Sequence, residues 1–89
     1  MTIQVRKLDQ QTFEVTVADG ATTTHTVTVT PEVHQRLSGG RVPPETLVER
    51  SFEFLLKREP NTAILRTFEL PVIARYFPEY ETEIGRRLG

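Results

Sequence analysis

Two histidines and a row of three glutamates are the residues of this chain best suited to chemistry. His25 lies in a segment where apolar and polar residues alternate, and His34 lies in a short helical segment. A zinc site needs such side chains at ligand spacing, as in H-x-x-H or H-E-x-x-H, and neither pattern occurs. The alternation instead predicts that His25 is a half-buried packing residue at the end of a sheet. The sequence therefore predicts no metal site.

The glutamates Glu45, Glu49 and Glu53 follow one another at every fourth position, which places them on one face of a helix. Paired carboxylates can act as acid and base when burial raises the pKa of one of them. Here Lys57 continues the row, and a row of acids that ends in lysine is typical of a solvent-exposed helix face. We expect no catalytic role for these residues.

The serines, Ser38 and Ser51, offer no nucleophile either, because neither lies in a G-x-S-x-G turn. Ser51 lies on an apolar helix stripe, where a small residue permits close packing. Ser38 begins the segment S-G-G-R, which lacks the preceding strand and the Gly-Lys-Ser/Thr ending of a phosphate-binding loop and is typical of a helix end. A chain of only 89 residues has a thin core, which leaves little room for a water-excluding pocket. We therefore predict a non-enzymatic protein without a cofactor.

Length and composition limit the remaining possibilities. A chain of 89 residues is short for one domain, so we expect a single domain, 1–89, with a β-meander at 1–30 and a helical part at 31–89. Eleven basic and twelve acidic residues give a net charge of −1, which argues against a mainly electrostatic grip on nucleic acid or membrane. Because cysteine is absent and no apolar run exceeds three residues, we expect a soluble, cytoplasmic protein without a membrane span.

Three segments near the N-terminus have the period-two alternation of half-buried antiparallel strands. Their apolar members all carry odd numbers: Ile3, Val5, Phe13, Val15, Val17, Val27 and Val29. Facing residues project to the same side of a sheet, so odd residues pair with odd ones only if each connection centres on one residue. This predicts loops of roughly three or five residues. We expect a wider loop near Asp19–Thr23, in which Gly20 or a neighbour adopts the left-handed conformation.

The rest of the chain is expected to be helical, in short pieces. Thr30 followed by Pro31 is typical of a helix N-terminus, and Gly39 is available to end that helix. Pro44 can open a longer helix that ends by Pro60. Three further short segments can begin at Asn61, as the cap of a turn, and at Pro71 and Pro78.

Together these elements predict an α+β fold, in which a three-stranded antiparallel β-meander packs against one longer helix, near Glu45–Glu59, and several short C-terminal helices. The expected core consists of Val5, Phe13, Val15, Val17, Val27, Val29, Leu37, Leu47, either Phe52 or Phe54, Leu55, Ile64, Ile73 and Phe77. In the strand order 1-2-3, the third strand is an edge without a Lys or Arg to deter pairing. We therefore expect the partner to be another protein, or a second copy bound through this edge.

Two surfaces are candidates for that interaction. The polar face of the third strand presents Thr24, Thr26 and Thr28, whose hydroxyls and methyls could contact base edges but equally suit an exposed strand. The second is an aromatic cluster near the C-terminus, in which we expect Tyr76 and Tyr80 to remain partly exposed. Aromatic residues anchor interfaces, and they also fill small cores.

Residues 26–59 contain a strand T-V-T-V-T, a helix P-E-V-H-Q-R-L, a glycine break and a second helix E-T-L-V-E-R-S-F-E-F-L-L. In this order they resemble the ribbon-helix-helix module of DNA-binding proteins and antitoxins. The resemblance implies a dimer whose paired strands enter the major groove, with Thr24, Thr26 and Thr28 facing the bases. The strand lacks Lys, Arg, Asn and Gln, the usual donors for base contacts.

The segments F-E-F-L-L-K-R-E-P at 52–60, I-L-R-T-F at 64–68 and Y-F-P-E-Y-E at 76–81 make the chain similar to short uncharacterised bacterial proteins. That resemblance implies a bacterial protein but carries no activity and no binding residue. Our sequence-based hypothesis is a small protein-interaction or regulatory module. The alternative is a dimeric ribbon-helix-helix DNA-binding protein or antitoxin.

Overall fold

The computed structural model describes residues 1–88 and has an α+β fold in which a four-stranded mixed sheet packs against helices. Its strands are β1 (Thr2–Lys7), β2 (Thr12–Asp19), β3 (Ala21–Thr28) and β4 (Thr67–Glu69). Its helices are α1 (Pro31–Ser38), α2 (Pro44–Leu56), α3 (Val72–Tyr76) and α4 (Tyr80–Leu88), and a single 3₁₀ turn spans Asn61–Ala63. None of these helices is both long enough and apolar enough to cross a membrane.

The first three strands pair antiparallel, in the phase that the alternation predicts. Val5 faces Val15 and Val15 faces His25, so odd residues pair with odd ones throughout. The β1–β2 connection lies between the facing residues Lys7 and Phe13. Its backbone is held by Asp9, whose carboxylate accepts from the amides of Gln11 and Thr12 at 2.9 and 2.8 Å. All the inward side chains therefore lie on one face of the sheet.

The β2–β3 connection is tighter than the sequence suggested. Asp19 faces Ala21, so the turn centres on Gly20 alone, and the expected wider loop over 19–23 is wrong. Gly20 has a φ of +79°, the left-handed conformation expected there. Gly20 alone can connect β2 to β3, because glycine adopts positive φ without steric cost. The pairing of odd residues with odd ones therefore needs no longer loop.

The expectation of a three-stranded meander is also corrected. β4 pairs parallel with β3, where Thr26 faces Thr67 and Thr28 faces Glu69. The chain passes through α1, α2 and the 3₁₀ turn before it returns to the sheet. The third strand is thus no longer an edge along 26–28, which removes that stretch as the site for pairing with another chain.

Three of the expected helix boundaries follow from the terminal residues. Thr30 caps α1, because its hydroxyl accepts from the Val33 amide at 3.2 Å, and Gly39 ends the helix with a φ of +65°. Pro44 lies in the first turn of α2, where a missing amide hydrogen costs nothing. Asn61 differs from expectation, because its side chain does not cap the 3₁₀ turn.

The core is larger than the sequence suggested, since α2 is covered on two sides. Phe52 packs toward the sheet, 5.3 Å from the ring of His25, while Phe54 packs toward the C-terminal helices, 5.3 Å from the ring of Tyr80. Both phenylalanines are buried, where one was expected. Val5 and Phe77 are only partly buried, and the residues that join the expected core are Val48, Phe68, Leu70, Tyr80 and Ile84.

Tyr80 was expected to be partly exposed, and it is fully buried. Its hydroxyl lies 2.6 Å from the hydroxyl of Ser51, which also donates to the Leu47 carbonyl at 2.7 Å. Because the single Ser51 proton is used on Leu47, the Tyr80 hydroxyl must be the donor to Ser51. Ser51 is therefore more than a small packing residue. It gives a buried tyrosine the partner that its burial requires.

The turn at Gly20 yields a test of the register. An added Cβ would meet no atom within 4 Å at Gly20 or at Gly85, so only backbone conformation distinguishes the two positions. We expect Gly20→Ala to lower the free energy of unfolding by ~1–2 kcal/mol, because alanine is strained at positive φ. The matched variant Gly85→Ala, within α4, should raise it by ~0.5–1 kcal/mol. Urea unfolding measures both, and an unchanged Gly20→Ala protein would contradict this register.

Candidate functional site

A buried hydrogen-bond network joins β3 to the segment that leads into β4. His25 and Asn61 are 0% and 2% exposed, and Thr23 is buried between them. The His25 Nε2 atom lies 2.8 Å from the Thr23 hydroxyl, and its Nδ1 atom lies 2.7 Å from the carbonyl oxygen of Leu65. The network therefore ties the ring of one strand residue to a backbone group forty positions further along the chain.

The donors in this network can be assigned from chemistry alone. A carbonyl oxygen only accepts, so the Nδ1 of His25 must carry the proton and donate to Leu65. The neutral ring then accepts at Nε2 from the Thr23 hydroxyl. Asn61 completes the set, because its Nδ2 donates to the Thr23 hydroxyl at 3.1 Å and to the Ala21 carbonyl at 2.9 Å.

This arrangement corrects two expectations. His25 is fully buried rather than half-buried, and both of its ring nitrogens are used in hydrogen bonds. Asn61 anchors its turn to the sheet instead of capping it. Within residues 1–88, no group of three His, Cys, Asp or Glu side chains is placed to hold a metal ion.

Next to this network lies an apolar groove of about 270 Å³. Its floor comes from the end of α2, from β4 and from α3, chiefly Leu55, Phe68 and Ile73. Leu65 and Tyr76 also line the groove, and they are 45% and 65% exposed. Most apolar side chains on a protein surface are scattered, so two large ones on one groove are informative.

Glu59 is the charged residue among those described in the groove lining. The others are apolar, except that Tyr76 carries a phenol hydroxyl. Burial raises the pKa of the Glu59 carboxyl above the ordinary value of 4.5. Among residues 1–88, no Lys, Arg or His lies within ion-pair distance of it. The groove thus combines an apolar surface with one carboxylate that has no cationic partner among residues 1–88.

The other residues singled out in the sequence lie elsewhere. Thr24, Thr26 and Thr28 lie on the open face of the sheet, the face opposite the core, and Thr24 is exposed. Of the glutamate row, Glu53 pairs with Arg50 at 2.9 Å. Ser38 and His34 form local hydrogen bonds at the end of α1: the Ser38 hydroxyl donates to the His34 carbonyl, and the His34 ring bonds the Val42 carbonyl.

Two residues of the groove were missed in the sequence. Leu65 falls in the short segment I-L-R, where no periodicity separates an inward from an outward side chain. Glu59 directly precedes Pro60 and follows two basic residues, so that it looks like part of a solvated charge run. The sequence shows only that Leu65 belongs to no apolar stripe. An exposed residue at the rim of a groove and a loop residue that packs inward share this property, so the sequence cannot distinguish them.

The ribbon-helix-helix resemblance requires β3 to pair with the same strand of a second chain. β4 occupies that side of β3 at Thr26 and Thr28, and the Thr26 amide donates to Arg66 at 2.7 Å. Two of the three threonines proposed to face DNA therefore lie on an internal stretch of strand. Comparison with known proteins adds no relative, since no family model, curated protein or solved structure matches the chain.

The buried network can be tested by removing its central hydroxyl. We expect Thr23→Val to lower the free energy of unfolding by ~1–3 kcal/mol, because His25 Nε2 then lacks a donor in a buried site. Thr24→Val is the matched control on the same strand, and it should change stability by less than ~0.5 kcal/mol because Thr24 is exposed. Equal effects of the two substitutions would contradict the network.

The protonation of His25 gives a second test. Burial lowers the pKa of His25 below its ordinary value of 6.5, and the charge of Arg66 acts in the same direction. The unfolded chain therefore binds the proton first as the pH falls. The stability that the neutral ring provides is complete above pH 6.5 and is lost as the pH falls from there through the folded pKa.

We expect urea unfolding to show this loss, and an NMR titration of the His25 ring to have its midpoint below 6.5. A His25→Gln variant should lose this component of the pH dependence, although it also lowers stability. A midpoint above 6.5, or the same pH dependence in the variant, would contradict the assignment.

Proposed function

We propose that this protein is a non-enzymatic interaction module, whose apolar groove binds a segment of another protein that presents apolar side chains beside a lysine or arginine. The observation that carries the proposal is the exposure of Leu65 and Tyr76 on the groove that also contains Glu59. Partner binding would remove both apolar side chains from water. Burying a side chain of this size is worth ~1.5–3 kcal/mol.

The groove is small, and Leu65 and Tyr76 on its lining are exposed. Its volume of about 270 Å³ is close to the lower limit of the ~300–1,000 Å³ that is usual for small-molecule pockets. A space of this size suits one or two side chains, with further contacts made on the rim. That is how protein interfaces concentrate their binding energy on a few apolar anchors.

The charge of the groove favours a cationic neighbour for those anchors. Glu59 is partly buried and has no ion-pair partner among the described residues, so an apolar ligand alone would dehydrate a carboxylate without compensation. A lysine or arginine in the ligand would offset that cost. A neutral or acidic segment would lack this compensation.

The chemistry of the groove supports a non-catalytic role. Its ionisable side chains are Glu59 and Tyr76, while His25 is held within the buried network and His34 bonds the Val42 carbonyl. Among residues 1–88, the groove lining includes no Ser, Thr, Cys, Lys or His that Glu59 could activate as a nucleophile or pair with as acid and base.

The experiment is a selection of random displayed peptides against the immobilised protein. The matched control is Leu65→Ser/Tyr76→Ser, which changes two exposed side chains and should fold normally. We expect enriched peptides with apolar residues next to Lys or Arg, and at least ~10-fold weaker binding to the double variant. Enrichment that is indifferent to the double variant, or no enrichment at all, would contradict the proposal.

The role of Glu59 is tested on the same peptides. Glu59→Gln keeps the shape of the side chain and removes its charge, so affinity for a lysine-containing peptide should fall roughly two- to fivefold, the value of a partly exposed ion pair. Replacing that lysine by norleucine should abolish the difference between the two proteins. Isothermal titration calorimetry measures the four affinities, and an equal loss with both peptides would argue against an ion pair.

A further inference from the structure

The outer edge of β4 lies beside the groove, and no strand of residues 1–88 pairs with it. β4 is the last strand of the order β1-β2-β3-β4, so only its β3 side is paired. Edge strands present unpaired amides and carbonyls to the surroundings, and a second strand can add to them. Such pairing uses the peptide groups of β4 that are not already bonded to β3.

The bonds to β3 identify the available groups. The Arg66 carbonyl accepts from Thr26 at 2.7 Å, and the Leu70 amide donates to Thr28 at 3.0 Å. Peptide groups alternate in direction along a strand, so those of Thr67 and Glu69 point away from β3, toward the open edge. Neither residue takes part in the other backbone bonds found between elements of residues 1–88.

The side chains of β4 connect this edge to the groove. Phe68, the middle residue of the strand, is 8% exposed and lines the groove, while Thr67 and Glu69 face the opposite side. A strand added beside β4 would likewise direct every second side chain to the side of Phe68. Those side chains would extend toward the groove that Phe68 lines.

We infer that the partner segment binds in extended form as a fifth strand on β4, bonded to the peptide groups of Thr67 and Glu69, with alternate apolar side chains in the groove and a cationic one near Glu59. This inference rests on the proposed function and specifies the form of its ligand. β-strand addition of this kind takes its affinity from main-chain bonds and its specificity from pockets for alternate side chains.

The probe is a capped synthetic peptide, acetyl-Thr-Leu-Thr-Lys-Thr-Leu-Thr-amide, which places leucine, lysine and leucine on one side of a strand. Two derivatives carry N-methyl groups on alternate backbone amides, one on the set at the leucines and lysine and the other on the set at the threonines. Only one set can face β4. NMR titration of the full chain should show one derivative binding like the parent and the other at least ~10-fold more weakly, as two lost hydrogen bonds imply.

A protein variant tests the same edge from the other side. Thr67→Pro removes an outward amide hydrogen and leaves the bonds of Arg66 and Leu70 to β3 intact. It should weaken peptide binding at least ~10-fold, because the hydrogen bond donated by the Thr67 amide is lost and the proline ring obstructs the edge. Thr67→Val is the matched control, since it retains the amide hydrogen and should bind normally. If Thr67→Pro does not fold, the N-methyl pair still decides the question.

The outcomes separate this inference from the proposed function. Binding that requires Leu65 and Tyr76 but ignores N-methylation and Thr67→Pro would overturn strand addition and leave the groove as a docking site. No binding of the parent peptide at millimolar concentration would also overturn strand addition, while the displayed-peptide selection tests the groove independently. Protection of the Thr67 and Glu69 amides that grows with protein concentration, without peptide, would overturn the inference in favour of a second copy.

Discussion

The hydrogen bonds around His25 are the interaction on which the rest of the architecture depends. They fasten the segment from Asn61 to Leu65 onto β3 and so determine where the chain rejoins the sheet as β4. A displacement of this segment would leave several buried polar atoms without partners, each at a cost of ~1–3 kcal/mol. The segment is therefore restricted to one position, although it has little regular structure of its own. The position of the groove wall therefore depends on the hydrogen bonds of this network.

The sequence could predict the first three strands, since their alternation is long enough to specify both a face and a phase. It could not predict β4, which is only three residues long and pairs with residues about forty positions earlier. Periodicity cannot appear over so short a stretch, and parallel pairing across two helices leaves no local signal. The inward position of His25 was visible, but its partners Asn61 and Leu65 belong to that distant segment. The candidate site was accordingly found only in part, through Tyr76.

Tyr76 and Tyr80 show why the sequence could not predict which aromatic side chains are buried. They lie four positions apart, yet Tyr80 lies in the core while Tyr76 lines the groove. The difference comes from α2, where Ser51 is a hydrogen-bonding residue on an otherwise apolar stripe. A buried polar group requires a partner, and a tyrosine can supply one from a neighbouring helix. Tyr76 has no such counterpart on α2, and the residue stays 65% exposed at the groove.

The measurement that tests this account most directly is the tautomer of His25, obtained by long-range ¹H–¹⁵N NMR correlation of its ring above pH 7. Hydrogen bonding to the Leu65 carbonyl requires the proton on Nδ1, so the account predicts that tautomer, with an Nδ1 proton that exchanges slowly with water. A proton on Nε2, or a ring that averages between the two forms, would show that the Leu65 carbonyl is not held. The segment that forms the groove wall would then lack the anchor assigned to it.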